Sequence, residues 1–453
     1  MRASETMDDE HLQARDVETA EEPEPGLVLI FSSGRPAAAV LPLARGSIEV
    51  GRGEVLGVTI DDKRMSRAHA RISFDRGAWT LEDLRSRNGS AADGREIEAG
   101  APSPAGALVR TGGSLFLLAA DTRPYRSGVA RSADTVMGPA LLRAFSAIAR
   151  AARSGGVLHI TGESGSGKEL AARAFHDAGP AADGPFVAVN AATLRADLAE
   201  AMLFGSRKGF YTGAPGGPGF LQAASGGTLF LDEVAELDTA VQAKLLRALQ
   251  TREVLPLGAT RPERVDLRFC SATHADLRSL VATGKMRDDL YYRIATPAVR
   301  LPPLRERTEE IPWLIEQALH RLEGAVKPPA LHVSFVEACL LRPWPGNVRE
   351  LTAEVKSAAQ WAVEDGGVLL ARHLDPRAGT AANAPEPDGP PPPSRPAPSP
   401  GGKVDDATIE EALRAAGNNK SAAARALGMH RTQLVRWLEK RGGAAKQDRD
   451  PHE

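Results

Sequence analysis

The sequence predicts a multidomain chain with an all-β sandwich, an α/β domain that ends in a helical lid, and a short all-α domain. From about Leu27 to Leu118, short β-like runs alternate with turns rich in Gly, Asp and Asn, which is typical of a β sandwich. From Gly138 onward, buried strands alternate with helices, which indicates a mostly parallel sheet. Helical patterns alone run from about Glu309 to Leu374, and three short helices are predicted within 405–441.

Changes in composition set the domain boundaries. Residues 1–25 are acid-rich and poor in large apolar side chains, so we expect a disordered tail. Residues 376–402 form a tract of proline, alanine and glycine that cannot build a core, so we expect an extended linker. Between and beyond these segments lie the predicted domains: the sandwich at 26–121, the α/β core at 134–308, the lid at 309–375 and the C-terminal domain at 403–442.

Composition excludes several classes of protein. Apolar residues make up 42% and charged residues 25% of the chain, as in an ordinary globular protein. A net charge of −2 excludes a general coat for polyanions, whereas the local positive excess from Arg414 to Arg441 indicates nucleic acid. Cys270 and Cys339 lie in apolar surroundings and predict buried structural thiols. We expect a cytoplasmic protein without membrane contact, because the sequence has neither a membrane-spanning run nor a leader.

A glycine-rich loop follows the first strand of the α/β segment. Its backbone N–H groups can surround phosphates while Lys168 neutralises the β and γ oxygens, which predicts a site for ATP. A later strand ends in Asp232 and Glu233, where one acid can hold Mg²⁺ and the other can polarise a water molecule. The predicted nucleotide-binding residues of the loop are Gly162, Glu163, Ser164, Gly165, Ser166, Gly167, Lys168 and Glu169.

A hexapeptide between these two motifs, Gly209 to Ala214, is small at both ends and aromatic in the middle. Such a segment has little reason to lie in a solvated loop unless its rings meet a partner. It resembles the GAFTGA loop by which bacterial enhancer-binding proteins, a branch of the AAA+ ATPases, engage RNA polymerase that carries sigma-54. The residues expected to contact sigma-54 are Phe210, Tyr211, Thr212 and Gly213.

Further motifs carry the same resemblance, and the family implies their roles. Asn190 matches a residue that hydrogen-bonds Glu233 in the idle site, and Glu169 stands where the family also has Glu. Thr273 and His274 match a γ-phosphate sensor. The segment Met286–Arg293 matches one that supplies arginine fingers to the neighbouring subunit of a hexamer, and Trp344–Leu351 matches a lid motif with a second sensor. These motifs therefore add Asn190, Arg287 and Arg293 to the catalytic residues Asp232 and Glu233, and Thr273, His274 and Arg349 to the nucleotide-binding residues.

Several positions depart from the family pattern around the loop. Phe210 replaces Ala and Tyr211 replaces Phe within the hexapeptide, while Met202, Arg207 and Leu221 stand where acids are expected. Acids here would help couple the loop to the state of the nucleotide. The departures place the doubt on this coupling more than on the ATP site.

The N-terminal segment resembles a forkhead-associated domain, whose loops bind phosphothreonine. Gly51-Arg52, Met65 to His69 and Ser86 to Ser90 occur in the expected order. A guanidinium and a hydroxyl suit a dianionic phosphate. The predicted phosphopeptide-binding residues are Arg52, Ser66, Arg67 and Asn88, with Gly51, His69 and Gly89 holding the loops in shape.

The C-terminal segment has helix-turn-helix spacing and resembles a Fis-type DNA-binding domain. Its second helix ends at the turn residue Gly428, and the third carries polar side chains able to reach the major groove or its phosphates. These predicted DNA-binding residues are His430, Arg431, Thr432, Gln433 and Arg436.

Three functions remain open from the sequence. The first is an activator of sigma-54 polymerase that binds upstream DNA, forms an ATP-hydrolysing ring and responds to a phosphothreonine peptide or a Ser/Thr kinase partner. The second is a phosphopeptide-responsive DNA-binding regulator whose divergent loop no longer drives sigma-54 polymerase. The third, an ATP-driven remodeller of unrelated proteins, is disfavoured by the DNA-binding end.

Overall fold

The computed structural model describes residues 22–43, 46–132, 135–194, 198–207, 209, 216–322 and 328–380, and beyond these Ile409 and Arg414. The predicted sigma-54 contacts from Phe210 to Gly213 and all the predicted DNA-binding residues lie outside the described residues. The chain divides into two units, at 1–382 and 383–453. The architecture below is that of the first unit.

The N-terminal segment is a two-layered antiparallel β sandwich, as predicted. One sheet has the strand order β2-β1-β12-β11-β8-β9 and the other β10-β7-β6-β3, with β4 and β5 forming a separate hairpin. The strands are β1 Gly26–Ser32, β2 Arg35–Pro42, β3 Ser47–Val50, β4 Gly53–Val55, β5 Val58–Ile60, β6 Ala70–Asp75, β7 Ala78–Asp83, β8 Ser90–Ala92, β9 Arg95–Glu96, β10 Ser103–Ala105, β11 Leu108–Thr111 and β12 Ser114–Ala119.

The α/β core has five parallel strands in the order β16-β17-β20-β15-β21. A short hairpin, β13 Ala130–Arg131 with β14 Val136–Met137, precedes it. The core strands are β15 Val157–Thr161, β16 Phe186–Asn190, β17 Thr228–Asp232, β20 Arg268–Thr273 and β21 Ala298–Arg300, with a side hairpin of β18 Glu253–Val254 and β19 Glu263–Arg264. The core helices are α1 Pro139–Ser154, α2 Lys168–Asp177, α3 Ala199–Phe204, α4 Phe220–Ala223, α5 Thr239–Thr251, α6 Leu277–Ala282 and α7 Asp288–Ile294.

Strand register explains why distant motifs meet at one edge of this sheet. Thr161 pairs with Thr273, and Asn190 pairs with Asp232, each at the carboxyl end of its strand. Ligands of open α/β sheets bind outside these ends. The fold therefore gathers the predicted nucleotide-binding motifs on one side of the core.

The lid is helical and contains α8 Ile311–His320, α9 Val333–Leu340 and α10 Asn347–Glu364, with a short parallel pair of β22 Ala330–Leu331 and β23 Val368–Leu369. Trp344 is fully buried, and its indole N–H donates to the carbonyl of Cys339 at 2.7 Å. The lid also includes residues assigned to the linker from sequence. Ala378 is buried, and the Gly379 N–H donates to Glu350 at 2.9 Å.

Both cysteines are buried, as predicted. Cys270 lies in the β20 core and Cys339 in α9, and burial raises the pKa of each thiol. Within the described residues, no helix combines the length and the apolar character that a membrane crossing requires.

Candidate functional site

The phosphate-binding loop connects β15 to α2 and requires its glycines. Gly165 and Gly167 have φ of 73° and 106°, in the region that favours glycine. A Cβ on Gly165 would also lie 2.3 Å from the carbonyl oxygen of Gly346 in the lid. Lys168 begins α2 and is only 7% exposed. The loop backbone is therefore free to approach a phosphate closely while the lid rests against it.

Glu233 is the centre of the site's hydrogen-bond network. One carboxylate oxygen accepts from Lys168 Nζ at 3.1 Å. The other accepts from the Thr273 hydroxyl at 3.2 Å and from His274 Nδ1 at 2.8 Å. Burial opposes ionisation, but the bonds from Lys168 and His274 outweigh it and leave the pKa of Glu233 below its usual range. The carboxylate is thus ionised at neutral pH, as a base that polarises water must be.

Asp232 ends β17 next to this network. Burial raises its pKa; Glu233 and Glu169 add to that rise, and Lys168 opposes it. A hard cation with oxygen ligands would relieve the repulsion among these three carboxylates, so the donor set fits Mg²⁺. Here Asp232 is the residue that would hold the ion.

Asn190 differs from its expected arrangement. Its side-chain oxygen accepts from the Ala192 N–H at 2.9 Å and caps the short helical turn that follows β16. Glu233 instead bonds to Lys168, Thr273 and His274. Asn190 does line the same cavity. The turn after β16 competes for this side chain, because a short polar residue readily bonds the backbone two residues on.

A cavity of about 790 Å³ joins the loop, the two acids and the lid. Arg349 donates to the Ser164 hydroxyl at 3.2 Å, which places the predicted second sensor against the phosphate loop. One wall of the cavity is apolar and suits a flat heterocyclic base. None of the sequence motifs identified this wall. This wall is formed by Val136, Met137, Leu141, Phe145 and Leu314.

Sequence reasoning missed the polar contacts that bind the loop to the lid. Glu163 forms an ion pair with Arg305 at 2.7 Å, and Asn347 donates to Glu163 and to the Ser164 carbonyl, each at 3.0 Å. Arg307 is 2% exposed and donates to the Ser166 carbonyl at 3.0 Å. Single polar residues in a helical segment carry no spacing signal, so these partners become visible only in three dimensions.

Arg287 and Arg293 lie outside the cavity of their own chain. Arg287 precedes α7 and forms an ion pair with Asp289 at 2.7 Å, while Arg293 donates to the Leu249 carbonyl at 3.1 Å. The neighbouring Tyr292 is 79% exposed. This arrangement leaves both guanidinium groups on a surface that a second subunit could reach.

The structure describes the stem of the hexapeptide loop. Ser206 and Gly217 exchange backbone hydrogen bonds of 3.1 and 2.8 Å, and the Arg207 N–H donates to the Leu257 carbonyl at 2.9 Å. Backbone bonds therefore hold together the two ends of the chain that flank the hexapeptide. Of the hexapeptide itself only Gly209 is described, with φ of 80°.

Leu221, one of the three positions that depart from the family's acids, lies inside the α/β core. Leu221 is fully buried in the α/β core, where a carboxylate would lack solvent and a partner. The polar role falls to the next residue: the Gln222 side chain accepts from the Gly219 N–H at 2.9 Å and donates to the Phe204 carbonyl at 3.0 Å.

The four predicted phosphopeptide-binding residues lie on neighbouring loops of the sandwich. The Arg52 N–H donates to the Ser66 carbonyl at 2.8 Å, and the Ser66 hydroxyl accepts from the Arg87 N–H at 3.2 Å. Asn88 donates from its side chain to the Arg64 carbonyl at 2.6 Å. The side chains of Arg52, Arg67 and Asn88 are exposed and that of Ser66 is half-buried.

Buried residues hold these loops. His69 is fully buried; its Nδ1 accepts from the Ser66 N–H at 3.0 Å, and its Nε2 bonds the Gly89 carbonyl at 3.1 Å. A Cβ on Gly51 would lie 1.8 Å from the Arg67 carbonyl oxygen, so only glycine fits there. Burial opposes ionisation of Asp83, but hydrogen bonds from Ser90 and Ser86 leave its pKa below the usual range.

Four family descriptions match the chain in the predicted order. They are the FHA domain over 48–112, the Sigma-54 interaction domain over 136–300, the AAA+ ATPase lid domain over 305–389 and Bacterial regulatory protein, Fis family, over 403–440. The predicted fold class is confirmed by these matches together with the structure.

Curated transcription regulators and a solved structure are similar to this chain over half to two thirds of its length. Transcriptional activator RocR of Bacillus subtilis is 36% identical over 317 residues, 68% of this chain and 68% of that protein. Response regulator protein PilR of Pseudomonas aeruginosa is 47% identical over 221 residues, 48% of this chain and 50% of PilR. The chain spans about half the length of several curated relatives, PilR among them. The structure of NtrX from Brucella abortus is similar with a TM-score of 0.51 at 30% identity, over 68% of each chain.

Proposed function

Because the chain belongs to the sigma-54-dependent transcriptional activators, we propose that it hydrolyses ATP as a ring and uses the energy to remodel the closed complex of sigma-54 RNA polymerase. The observation that carries the proposal is the network in which Glu233 bonds Lys168, Thr273 and His274, next to Asp232 at one edge of the sheet. The C-terminal residues from His430 to Arg436 would hold the ring at upstream DNA.

The Lys168–Glu233 ion pair supplies a physical switch for hydrolysis. When the γ-phosphate of ATP attracts Lys168, the lysine leaves Glu233, and the carboxylate becomes free to accept a proton from water. Thr273 and His274 bond the same carboxylate and therefore register this change. Mg²⁺, held by Asp232 and the phosphates, would neutralise charge on the transferred group.

The switch lies one strand away from the loop stem. Asp232 ends β17 and Glu233 follows it. The chain enters β17 from α4, whose N-terminus adjoins the stem residue Gly217. A movement of Glu233 would therefore be transmitted through β17 and α4 to the residues at the base of the hexapeptide. Polymerase contact by the segment from Phe210 to Gly213 follows from the family motif.

Capture of sigma-54 tests the polymerase contact. The full chain with ADP and aluminium fluoride, which mimics the transition state, is expected to co-elute with purified sigma-54 in size-exclusion chromatography. Thr212→Ala is expected to abolish capture while leaving ATP turnover within about twofold, since the loop touches the partner and not the nucleotide. Normal ATP turnover without capture in the unaltered chain would instead favour a DNA-binding regulator that no longer drives sigma-54 polymerase.

Phosphothreonine recognition is proposed for the sandwich, because the Ser66 hydroxyl can donate to phosphate. The exposed Arg52, whose N–H bonds the Ser66 carbonyl, and the adjacent Arg67 supply positive charge. A fluorescent peptide pool with a fixed central phosphothreonine is expected to bind, and the unphosphorylated pool is not. Loss of one charge-assisted hydrogen bond in Ser66→Ala should weaken binding by about 10- to 100-fold. Ser73→Ala on β6 serves as the matched control and should bind normally. Equal binding of both pools would refute the proposal.

A further inference from the structure

The outer face of the sandwich is apolar, and the lid covers it. In β1, Leu27 and Leu29 point into the sandwich core, whereas the alternate residues Val28 and Ile30 belong to the core of the lid. Every residue from Gly26 to Phe31 is buried. A strand of an isolated sandwich would turn one of its faces to water. This sheet is therefore enclosed on both sides.

The neighbouring strands repeat the alternation. In β12, Phe116 packs inside the sandwich, while Leu115 and Leu117 join the lid core. In β11, Val109 packs inside the sandwich and Leu108 joins the lid. Three adjacent strands thus present one continuous apolar surface to the lid, whose contributing residues include Ile315, Leu319, Phe335 and Val336.

Polar contacts fix the register of this interface. Arg110 on β11 forms an ion pair with Glu337 on α9 at 2.8 Å, and the two side chains are only 17% and 12% exposed. Burial raises the pKa of Glu337 although Arg110 opposes the rise. At one end of the interface, the guanidinium of Arg64 lies in contact with the imidazole of His332.

Arg64 also belongs to the phosphopeptide loops. Its carbonyl accepts the Asn88 side chain at 2.6 Å, and Ser66 follows two residues later. On the other side, His332 caps the N-terminus of α9 by accepting from the Ser334 N–H at 3.2 Å. Arg64 therefore contacts both Asn88, a predicted phosphopeptide-binding residue, and His332, the N-cap of the lid helix α9.

The same lid contacts the phosphate-binding loop. Helix α10 packs against α8 and begins at Asn347, which bonds Glu163 and Ser164 in the phosphate loop. Arg349 on α10 bonds the Ser164 hydroxyl. The phosphopeptide loops and the phosphate loop are thus joined through one helical body.

We propose that the sandwich is a fixed part of the lid, and that the surface formed by Arg64, Arg110, His332 and Glu337 couples phosphopeptide binding to ATP binding. The coupling rests on the phosphothreonine recognition proposed above. The docked interface, meaning the contact between sandwich and lid, does not rest on that recognition, because the contact is present whatever the sandwich binds. Coupling of two sites is reciprocal, so ATP must change peptide affinity by the same factor as peptide changes ATP affinity.

The test measures binding of the fluorescent phosphothreonine pool to the full chain with and without saturating ATPγS. We expect peptide affinity to change by at least about fivefold, the lower end of common allosteric couplings. His332→Ala and Arg110→Glu should each bring the factor close to one, and the swap Arg110→Glu with Glu337→Arg should restore it. Arg71→Glu is the matched control, since Arg71 forms an equally short pair with Glu49 at 2.7 Å on the other sheet.

Each outcome decides a different claim. If ATPγS leaves the peptide affinity of the unaltered chain unchanged, the two sites are not coupled. If the coupling survives Arg110→Glu, it does not pass through the contact between Arg110 and Glu337. If the pool does not bind, phosphothreonine recognition fails and the coupling falls with it. The docked interface is then judged by a fluorescent ATP analogue, whose affinity Arg110→Glu should weaken several-fold and the swap should recover. Equal nucleotide affinity in all variants would overturn the interface as well.

Discussion

Glu233→Gln is expected to slow ATP hydrolysis by about 10²- to 10⁴-fold, the usual contribution of a general base. ATP binding should not weaken, because the substitution removes the carboxylate that competes with the γ-phosphate for Lys168. Steady-state phosphate release and the affinity of a fluorescent ATP analogue separate these two effects. Glu253→Gln, which alters an exposed acid on β18, is the matched control.

Substitution of Lys168 is expected to affect ATP binding first, whereas substitution of Glu233 affects hydrolysis. Lys168→Ala should lose nucleotide binding itself, because it removes the positive charge that the phosphate loop directs at the two acids. Retained hydrolysis in Glu233→Gln would contradict the assignment of the base. Loss of binding in that variant would show that Glu233 holds the loop and does not act on water.

Arg293→Ala is expected to reduce hydrolysis by about 10³-fold or more while leaving ATP binding intact, since an arginine finger stabilises charge only in the transition state. Arg293 does not line the cavity of its own chain, so an arginine finger at this position would have to act on the site of a neighbouring subunit. The variant keeps an intact phosphate loop. Lys168→Ala keeps intact arginines.

Mixing these two inactive proteins should therefore restore activity, because some sites pair a sound loop with a sound arginine from the next subunit. The recovered rate is measured against each variant alone at the same total concentration. A mixture no more active than its components would mean that Arg293 acts within its own chain or has no catalytic role.

Much of the ATP site could be predicted from sequence because its parts are local. The loop from Gly162 to Lys168 is contiguous, and Asp232 and Thr273 each end a strand whose parallel neighbours are fixed by register. The Asn190 arrangement could not be predicted, since the choice between Glu233 and the Ala192 N–H depends on competition in three dimensions.

The largest omission is the interface between the sandwich and the lid. Arg110 and Glu337 are separated by 227 positions, so no spacing rule connects them. A signal was present, however: the run Leu27–Phe31 is apolar throughout and does not alternate, as a strand covered on both faces should be.

Open-complex formation tests the central claim most directly. A supercoiled promoter that depends on sigma-54, the polymerase carrying sigma-54 and the full chain are combined with ATP, and melted promoter DNA is detected with permanganate. Melting should need hydrolysable ATP and disappear in both Glu233→Gln and Thr212→Ala. Robust ATP hydrolysis with no promoter melting would contradict the claim.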